Sequence, residues 1–117
     1  MSKQEQINYL EFPSTDIAVT KAFFETTFAW KFTDYGPEYS AFSGAGIDGG
    51  FYASKLVMST KNGSALVVLL SEDLEATQRK IESAGGGIIQ KIFSFPGGRR
   101  FHFTDPNGNE YAVWATE

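Results

Sequence analysis

Each half of this chain reads as a strand, a helix and three further strands, and this repeated order limits the available folds more than any other feature. Apolar alternation predicts the opening strands, and Asp16 and Asp73 are placed to cap the two helices. Asp73 follows Asp16 by 57 residues, and Ile17 matches Leu74 at this same offset. The elements predicted in the first half are 7–12, 17–28, 31–34, 39–43 and 49–53. Those predicted in the second half are 65–70, 74–84, 88–94, 99–104 and 110–115.

The repeat predicts an α+β fold in which two βαβββ modules pair to form a curled sheet cup. One module alone would leave a sheet face uncovered, so pairing of the two is the stable arrangement. The 117 residues fit one domain, with module one at about 5–56, a connector at about 57–63 and module two at about 64–117. Chance similarity within a mixed α+β chain is the alternative interpretation.

A turn-forming segment at residues 105–109 joins the last two predicted strands. Pro106 presets φ for a turn, and Gly108 accepts a positive φ. Alternation gives this hairpin one face for packing and another that suits a ligand. The packing face has Phe101, Phe103, Tyr111 and Val113, and the other face has Arg100, His102, Thr104, Glu110, Ala112 and Trp114. An ordinary edge hairpin held by aromatic contacts is the alternative.

Composition and charge argue against several classes of function. The net charge is −4 and the basic residues are scattered, which is not typical of a nucleic-acid binder. No apolar run approaches the roughly 18 residues that span a bilayer, and residues 1–6 are polar rather than a signal peptide. We therefore expect a cytoplasmic protein with no membrane partner. Because the chain has no cysteine and one histidine, it lacks thiolate chemistry and, unless a second subunit contributes, any site that needs two imidazoles.

The repeat, the Asp-Pro-Asn-Gly-Asn segment at 105–109, and Glu11-Phe12-Pro13 followed by Asp16 resemble the vicinal oxygen chelate superfamily. This is the glyoxalase, bleomycin-resistance and extradiol-dioxygenase group, and the similarity covers nearly the whole chain. Residues 46–50 and 111–114 are similar to the branch related to lactoylglutathione lyase. The resemblance implies an open cup, commonly completed in a homodimer, with a small ligand inside.

The resemblance also implies where a metal would bind. In metal-dependent members, a His or Gln near each module's first strand and a Glu near each module's last strand hold a divalent ion. The matching positions here are Tyr9, Leu66, Ala112 and, through the repeat, Tyr52. Leucine and alanine have no lone pairs to donate, and a neutral phenol is a poor ligand for such ions. We therefore predict no metal and no cofactor. The activity of a metal-dependent dioxygenase accordingly has no support in this sequence.

Strand alternation selects the residues that would line the cup. His102 and Glu11 are the catalytic candidates, as a general acid and base pair, although a structural histidine is the alternative. We expect Asp48 and Glu110 to be solvated loop and strand-end groups. The ligand-binding candidates are Tyr9, Tyr39, Tyr52, Leu66, Arg100, Thr104, Ala112 and Trp114.

The predicted function is binding of a small aromatic or amphipathic molecule without a metal, in a homodimer. The first alternative is a lyase or isomerase that acts on a small carbonyl compound through His102 and Glu11, or through metal ligands at other positions. The second is an accessory domain that supplies only an interface, which predicts a cup filled by side chains. Hydrolase chemistry has no support, because no serine has a base at a recognisable spacing.

Overall fold

The computed structural model describes residues 4–117, so part of the polar segment at 1–6 lies outside the described residues. The first module contains β1 (Tyr9–Ser14), α1 (Ile17–Phe28), β2 (Lys31–Asp34), β3 (Tyr39–Ser43) and β4 (Asp48–Ala53). The second contains β5 (Val67–Leu70), α2 (Leu74–Ser83), β6 (Gly87–Phe95), β7 (Gly98–Thr104) and β8 (Glu110–Ala115). The α+β class and the repeated βαβββ order are confirmed.

The chain forms two compact units that divide between Leu56 and Val57, and each unit holds one four-stranded mixed sheet. The strand order is β1-β4-β3-β2 in the first sheet and β5-β8-β7-β6 in the second. In each sheet the first strand pairs in parallel with the last, and the other pairs are antiparallel. The two modules therefore share one topology.

The two helices begin in the same way because the same local chemistry occurs twice. The side chain of Asp16 accepts a hydrogen bond from the N–H of Val19 at 3.2 Å, which caps α1. Asp73 accepts from the N–H of Ala76 at 3.1 Å, which caps α2. Both predicted caps are confirmed. A left-handed residue, Ala29 with φ 60°, follows the last turn of α1.

The core of the first unit is an aromatic cluster between α1 and one face of the sheet. The Phe24 ring stacks on Trp30 with centroids 4.4 Å apart and on Phe51 with centroids 5.6 Å apart. Trp30 also stacks on Phe42 at 4.9 Å and is 7% exposed. Trp30 is therefore a core residue of its unit, and large-to-small substitution there would cost several kcal/mol.

The core of the second unit uses the predicted packing face of the hairpin. Phe101, Phe103, Tyr111 and Val113 are fully buried, and the rings of Phe103 and Tyr111 stack at 5.2 Å. Leu74 and Ile81 of α2 are buried as well. The predicted packing face of the hairpin is therefore confirmed.

The turn at 105–109 forms as predicted and is organised by a buried carboxylate. Asp105 Oδ1 accepts from the N–H groups of Asn107 at 2.9 Å and Asn109 at 3.2 Å. Its Oδ2 accepts from the Tyr111 hydroxyl at 2.8 Å. Burial raises the pKa of Asp105, and these hydrogen bonds oppose that rise. Gly108 has a φ of 97°, which suits glycine.

Strand boundaries differ from the sequence prediction at several ends. The first strand runs to Ser14 because β1 is an edge strand, where Pro13 needs no N–H for pairing. The strand predicted at 65–70 begins at Val67, so Leu66 precedes it. Within the described residues 4–117, no helix is both long and apolar enough to cross a bilayer.

Candidate functional site

The second sheet has a face that its own helix does not cover. Arg99 of β7 contacts Glu75 of α2 at 2.8 Å, which places α2 on the same side as Arg99 and Phe101. The alternate residues of β7 and their strand partners form the opposite side, here called the helix-free face. It consists of Val68, Leu70, Gln90, Phe93, Phe95, Arg100, His102, Thr104, Glu110, Ala112 and Trp114. All the hairpin residues predicted for the ligand side lie on it.

His102 and Glu110 form a buried pair on the helix-free face. The distance from His102 Nδ1 to Glu110 Oε2 is 2.8 Å, and the two residues are 6% and 5% exposed. Glu110 Oε1 also accepts from the N–H of Thr60 at 2.7 Å and from the Thr60 hydroxyl at 3.0 Å. Thr60 belongs to a short 3₁₀ turn, Thr60–Asn62, in the connector. The expectation that Glu110 is a solvated strand-end group was wrong, because the connector folds over it.

The contacts of Glu110 define its charge and the role of each imidazole nitrogen. Burial works against the charged form, but the hydrogen bonds from His102 and Thr60 outweigh it and lower the pKa of Glu110. An ionised carboxylate only accepts, so Nδ1 of His102 carries a proton toward it. In the neutral imidazole, Nε2 is then free to accept a proton. Nε2 is buried and has no hydrogen-bond partner among the described residues.

Arg100 lies beside this pair among aromatic rings. Its guanidinium carbon is 5.4 Å from the centroid of Phe93 and 5.6 Å from that of Phe95. The Phe93 ring is also 6.1 Å from the His102 ring, and Phe95 is 6.3 Å from Trp114. The helix-free face therefore presents a run of aromatic rings with a guanidinium and an imidazole between them.

The first sheet places three other predicted residues in one hydrogen-bonded group on the face that α1 does not cover. The Tyr39 hydroxyl donates to Glu11 Oε2 at 2.8 Å and lies 2.7 Å from the Tyr9 hydroxyl, which therefore donates to it. Burial raises the pKa of Tyr39, and the hydrogen bonds with Tyr9 and Glu11 add to that rise. Gly50 makes this geometry possible, because a Cβ at this position would clash with the Tyr39 hydroxyl. The pairing of Glu11 with His102 stays a prediction.

The remaining predicted ligand-binding residues differ in accessibility. Ala112 is fully buried, Thr104 is half-buried, and both lie on the helix-free face. Tyr52 is 36% exposed and pairs with Tyr39 across the first sheet. Leu66 is half-buried and stands just before β5. The structure therefore brings together most of the second-module candidates, and it groups Tyr9, Tyr39 and Tyr52 separately.

Strand register corrects one position of the implied metal site. In the first sheet Glu11 of β1 pairs with Gly50 of β4. In the second sheet Val68, which the repeat matches to Glu11, pairs with Ala112. Gly50 is therefore the equivalent of Ala112, and the assignment to Tyr52 was wrong because the sequence does not reveal register.

The corrected positions carry a tyrosine, a leucine, a glycine and an alanine, and this set of side chains does not fit a divalent ion. No group of three or more His, Asp or Glu side chains able to hold a metal occurs in the part of the chain that the structure describes.

Sequence reasoning missed Phe93, Phe95 and Thr60. Two irregularities in the β6–β7 pairing, between Ile88 and Gln90 and between Gln90 and Phe93, change the register. They turn Phe93 to the same side as Arg100, so simple alternation along β6 fails. Thr60 had no signal, because its contact with Glu110 joins residues far apart in the sequence.

Sequence comparison identifies the family. The model of the Glyoxalase/Bleomycin resistance protein/Dioxygenase superfamily matches residues 6–113. The chain belongs to this superfamily. The glyoxalase and bleomycin-resistance resemblance stated from the sequence is therefore confirmed. No curated protein sequence was found to match this superfamily member.

Solved structures of the superfamily share the fold at low sequence identity. A glyoxalase-related enzyme from Fulvimarina pelagi is similar with a TM-score of 0.78 and 15% identity, covering 95% of this chain and 88% of that one. A fosfomycin resistance protein from Mesorhizobium loti has a TM-score of 0.74 and 13% identity, with 95% and 92% covered. A lactoylglutathione lyase from Agrobacterium tumefaciens has a TM-score of 0.71 and 12% identity, with 97% and 96% covered. At these identities the similarity establishes the fold alone.

Proposed function

We propose that this superfamily member binds a small aromatic or amphipathic organic molecule on the helix-free face of its second sheet, and that no metal takes part. The observation that carries the proposal is the unpartnered Nε2 of His102, which lies on the same face as the rings of Phe93 and Trp114. Aromatic rings with a few fixed polar atoms are typical of sites for small organic molecules. Ring stacking would provide affinity, and the polar atoms would orient the ligand.

The relatives are consistent with recognition of small molecules. The superfamily model is named for bleomycin resistance among other activities, and one structural neighbour is a fosfomycin resistance protein. We therefore propose sequestration of the ligand, rather than its chemical conversion, as the first choice. The homodimer and the cytoplasmic location remain predictions, and the dimer is tested by sedimentation equilibrium of the purified protein.

A second candidate is a lyase or isomerase that acts on a small carbonyl compound. The specific observation in its favour is the Glu110–His102 pair, with Nδ1 directed at the carboxylate at 2.8 Å. Glu110 would hold the ring and stabilise the imidazolium, while Nε2 removes and returns a proton of the substrate. The lactoylglutathione lyase among the structural neighbours supports this candidate.

The two tryptophans allow a direct test of the binding site. The chain contains Trp30, which is in the core of the first unit, and Trp114, which is on the helix-free face. A ¹H–¹⁵N spectrum therefore contains one indole signal from each. In a screen of planar aromatic and amphipathic compounds, ligands should shift the Trp114 indole signal and leave that of Trp30 in place. If no compound shifts Trp114, the binding proposal fails and the interface-only alternative gains support.

Two further measurements separate a binder from an enzyme. His102→Ala should weaken ligand affinity in a binder, whereas it should abolish turnover of small carbonyl compounds in an enzyme. Thermal unfolding with Ni²⁺, Zn²⁺, Mn²⁺ or Fe²⁺ should show no stoichiometric stabilisation under the present proposal. Stabilisation by one equivalent of a single ion would overturn the metal-free part of it.

A further inference from the structure

We infer that the ligand carries an oxyanion, most simply a carboxylate, and that Arg100 binds it. This inference rests on the proposed function and names the chemical class of the ligand. The ligand would combine an aromatic body with one anionic group, so that ring and charge meet different parts of the helix-free face.

The guanidinium of Arg100 has no carboxylate counterion among the described residues. Its guanidinium lies over the rings of Phe93 and Phe95, and its Nε is buried without a hydrogen-bond partner in residues 4–117. Phenylalanine rings attract a cation but accept no conventional hydrogen bond, so they do not satisfy the buried Nε–H of Arg100. A half-buried charge in this state favours an incoming anion, since pairing offsets the desolvation of both groups.

The neighbouring arginine shows the contrast. Arg99 points to the helix side of the same strand, where it donates to both oxygens of Glu75 at 2.8 and 3.3 Å. One arginine of the pair is therefore satisfied within the protein, and Arg100 is not. Because the side chains alternate along β7, Arg99 stays away from the helix-free face.

Polar and aromatic groups around Arg100 favour a planar aromatic carboxylate. His102 is next but one on the strand, about 7 Å away along the backbone. Its Nε2 is also buried and has no hydrogen-bond partner within the described part of the chain. Phe95 and Trp114 lie on the same face, with their ring centroids 6.3 Å apart, and both rings offer apolar surface to a ligand. A carboxylate at the Arg100 fork would have its aromatic body on these rings and a second polar group within reach of His102.

The test uses two probes that differ in charge and share their shape, 2-naphthoate and 2-naphthamide. Isothermal titration of the full chain should show that the wild-type protein binds 2-naphthoate about tenfold more tightly, as expected for one charge-assisted hydrogen bond. Arg100→Gln should remove this preference. Arg99→Gln is the matched control and should keep it, since Arg99 is engaged with Glu75 on the opposite side.

The outcomes separate the inference from the function on which it rests. If wild-type protein binds both probes equally, or if Arg100→Gln keeps the preference, the oxyanion inference is overturned and binding of aromatic molecules stands. If neither probe binds or shifts the Trp114 indole signal, the inference is overturned, and the proposed function falls with it when no compound of the wider screen shifts that signal either. The comparison of the two probes on wild-type protein needs no variant, so it holds even if Arg100→Gln fails to fold.

Discussion

Glu110→Ala is expected to lower the free energy of unfolding by about 3 kcal/mol at pH 7, because it removes a buried carboxylate with three hydrogen bonds. Loss of one member of a buried charged pair costs about 3–5 kcal/mol. We take the lower end, because Thr60 is exposed and water can replace the partner of its N–H. His102, which is 6% exposed, would lose the one hydrogen-bond partner that its imidazole has among the described residues.

Glu110→Gln is the matched control, since it keeps the volume and an oxygen that accepts from Thr60. Its amide would donate to Nδ1 of His102, so the imidazole proton should move to Nε2. We expect a cost of about 1 kcal/mol, close to one neutral hydrogen bond. Urea unfolding measures both losses, and ¹⁵N spectra of the imidazole report the tautomer without ambiguity because the chain has a single histidine.

The stability that Glu110 contributes should depend on pH in a definite direction. The pKa of Glu110 in the folded protein lies below its ordinary value of 4.5, because hydrogen bonds from His102 and Thr60 outweigh the opposing effect of burial. The stability that this carboxylate contributes is thus complete above about pH 4.5 and is lost as the pH falls through the folded-state pKa. The advantage of wild type over Glu110→Gln should shrink over that range. A loss under about 1 kcal/mol for Glu110→Ala, or a wild-type imidazole protonated at Nε2 alone, would refute the reasoning.

Two glycines and one tyrosine give the remaining predictions. Gly49→Ala should lower the unfolding free energy by more than about 2 kcal/mol, because the new Cβ would clash with the backbone oxygen of Leu10. Gly50→Ala should cost much less, because only the Tyr39 side chain must move. Equal losses of the two variants in thermal unfolding would contradict this. Tyr111→Phe should cost about 1–2 kcal/mol in urea unfolding, because Asp105 loses a 2.8 Å hydrogen bond from a buried hydroxyl, and a variant as stable as wild type would argue against that role.

The candidate site was predictable in part. Alternation along 99–104 and 110–115 predicted that Arg100, His102 and Trp114 share a side, because a hairpin with a tight turn fixes the pairing of its own strands. The partner of His102 was not predicted. From the sequence Glu110 is an ordinary strand-end carboxylate, because its contact with Thr60 forms only when the connector is folded. The irregular pairing of β6 likewise hid Phe93.

The sequence by itself determined the repeated βαβββ order, the Asp caps of both helices and the buried side of the last hairpin. These features depend on side chains a few residues apart, so local chemistry is enough to specify them. Only the tertiary structure decided that Gly50 matches Ala112, that Glu110 is buried against His102, and that the guanidinium of Arg100 lies over two phenylalanine rings. Those arrangements depend on strand register, bulges and a folded connector, which are set by contacts between residues far apart in the chain.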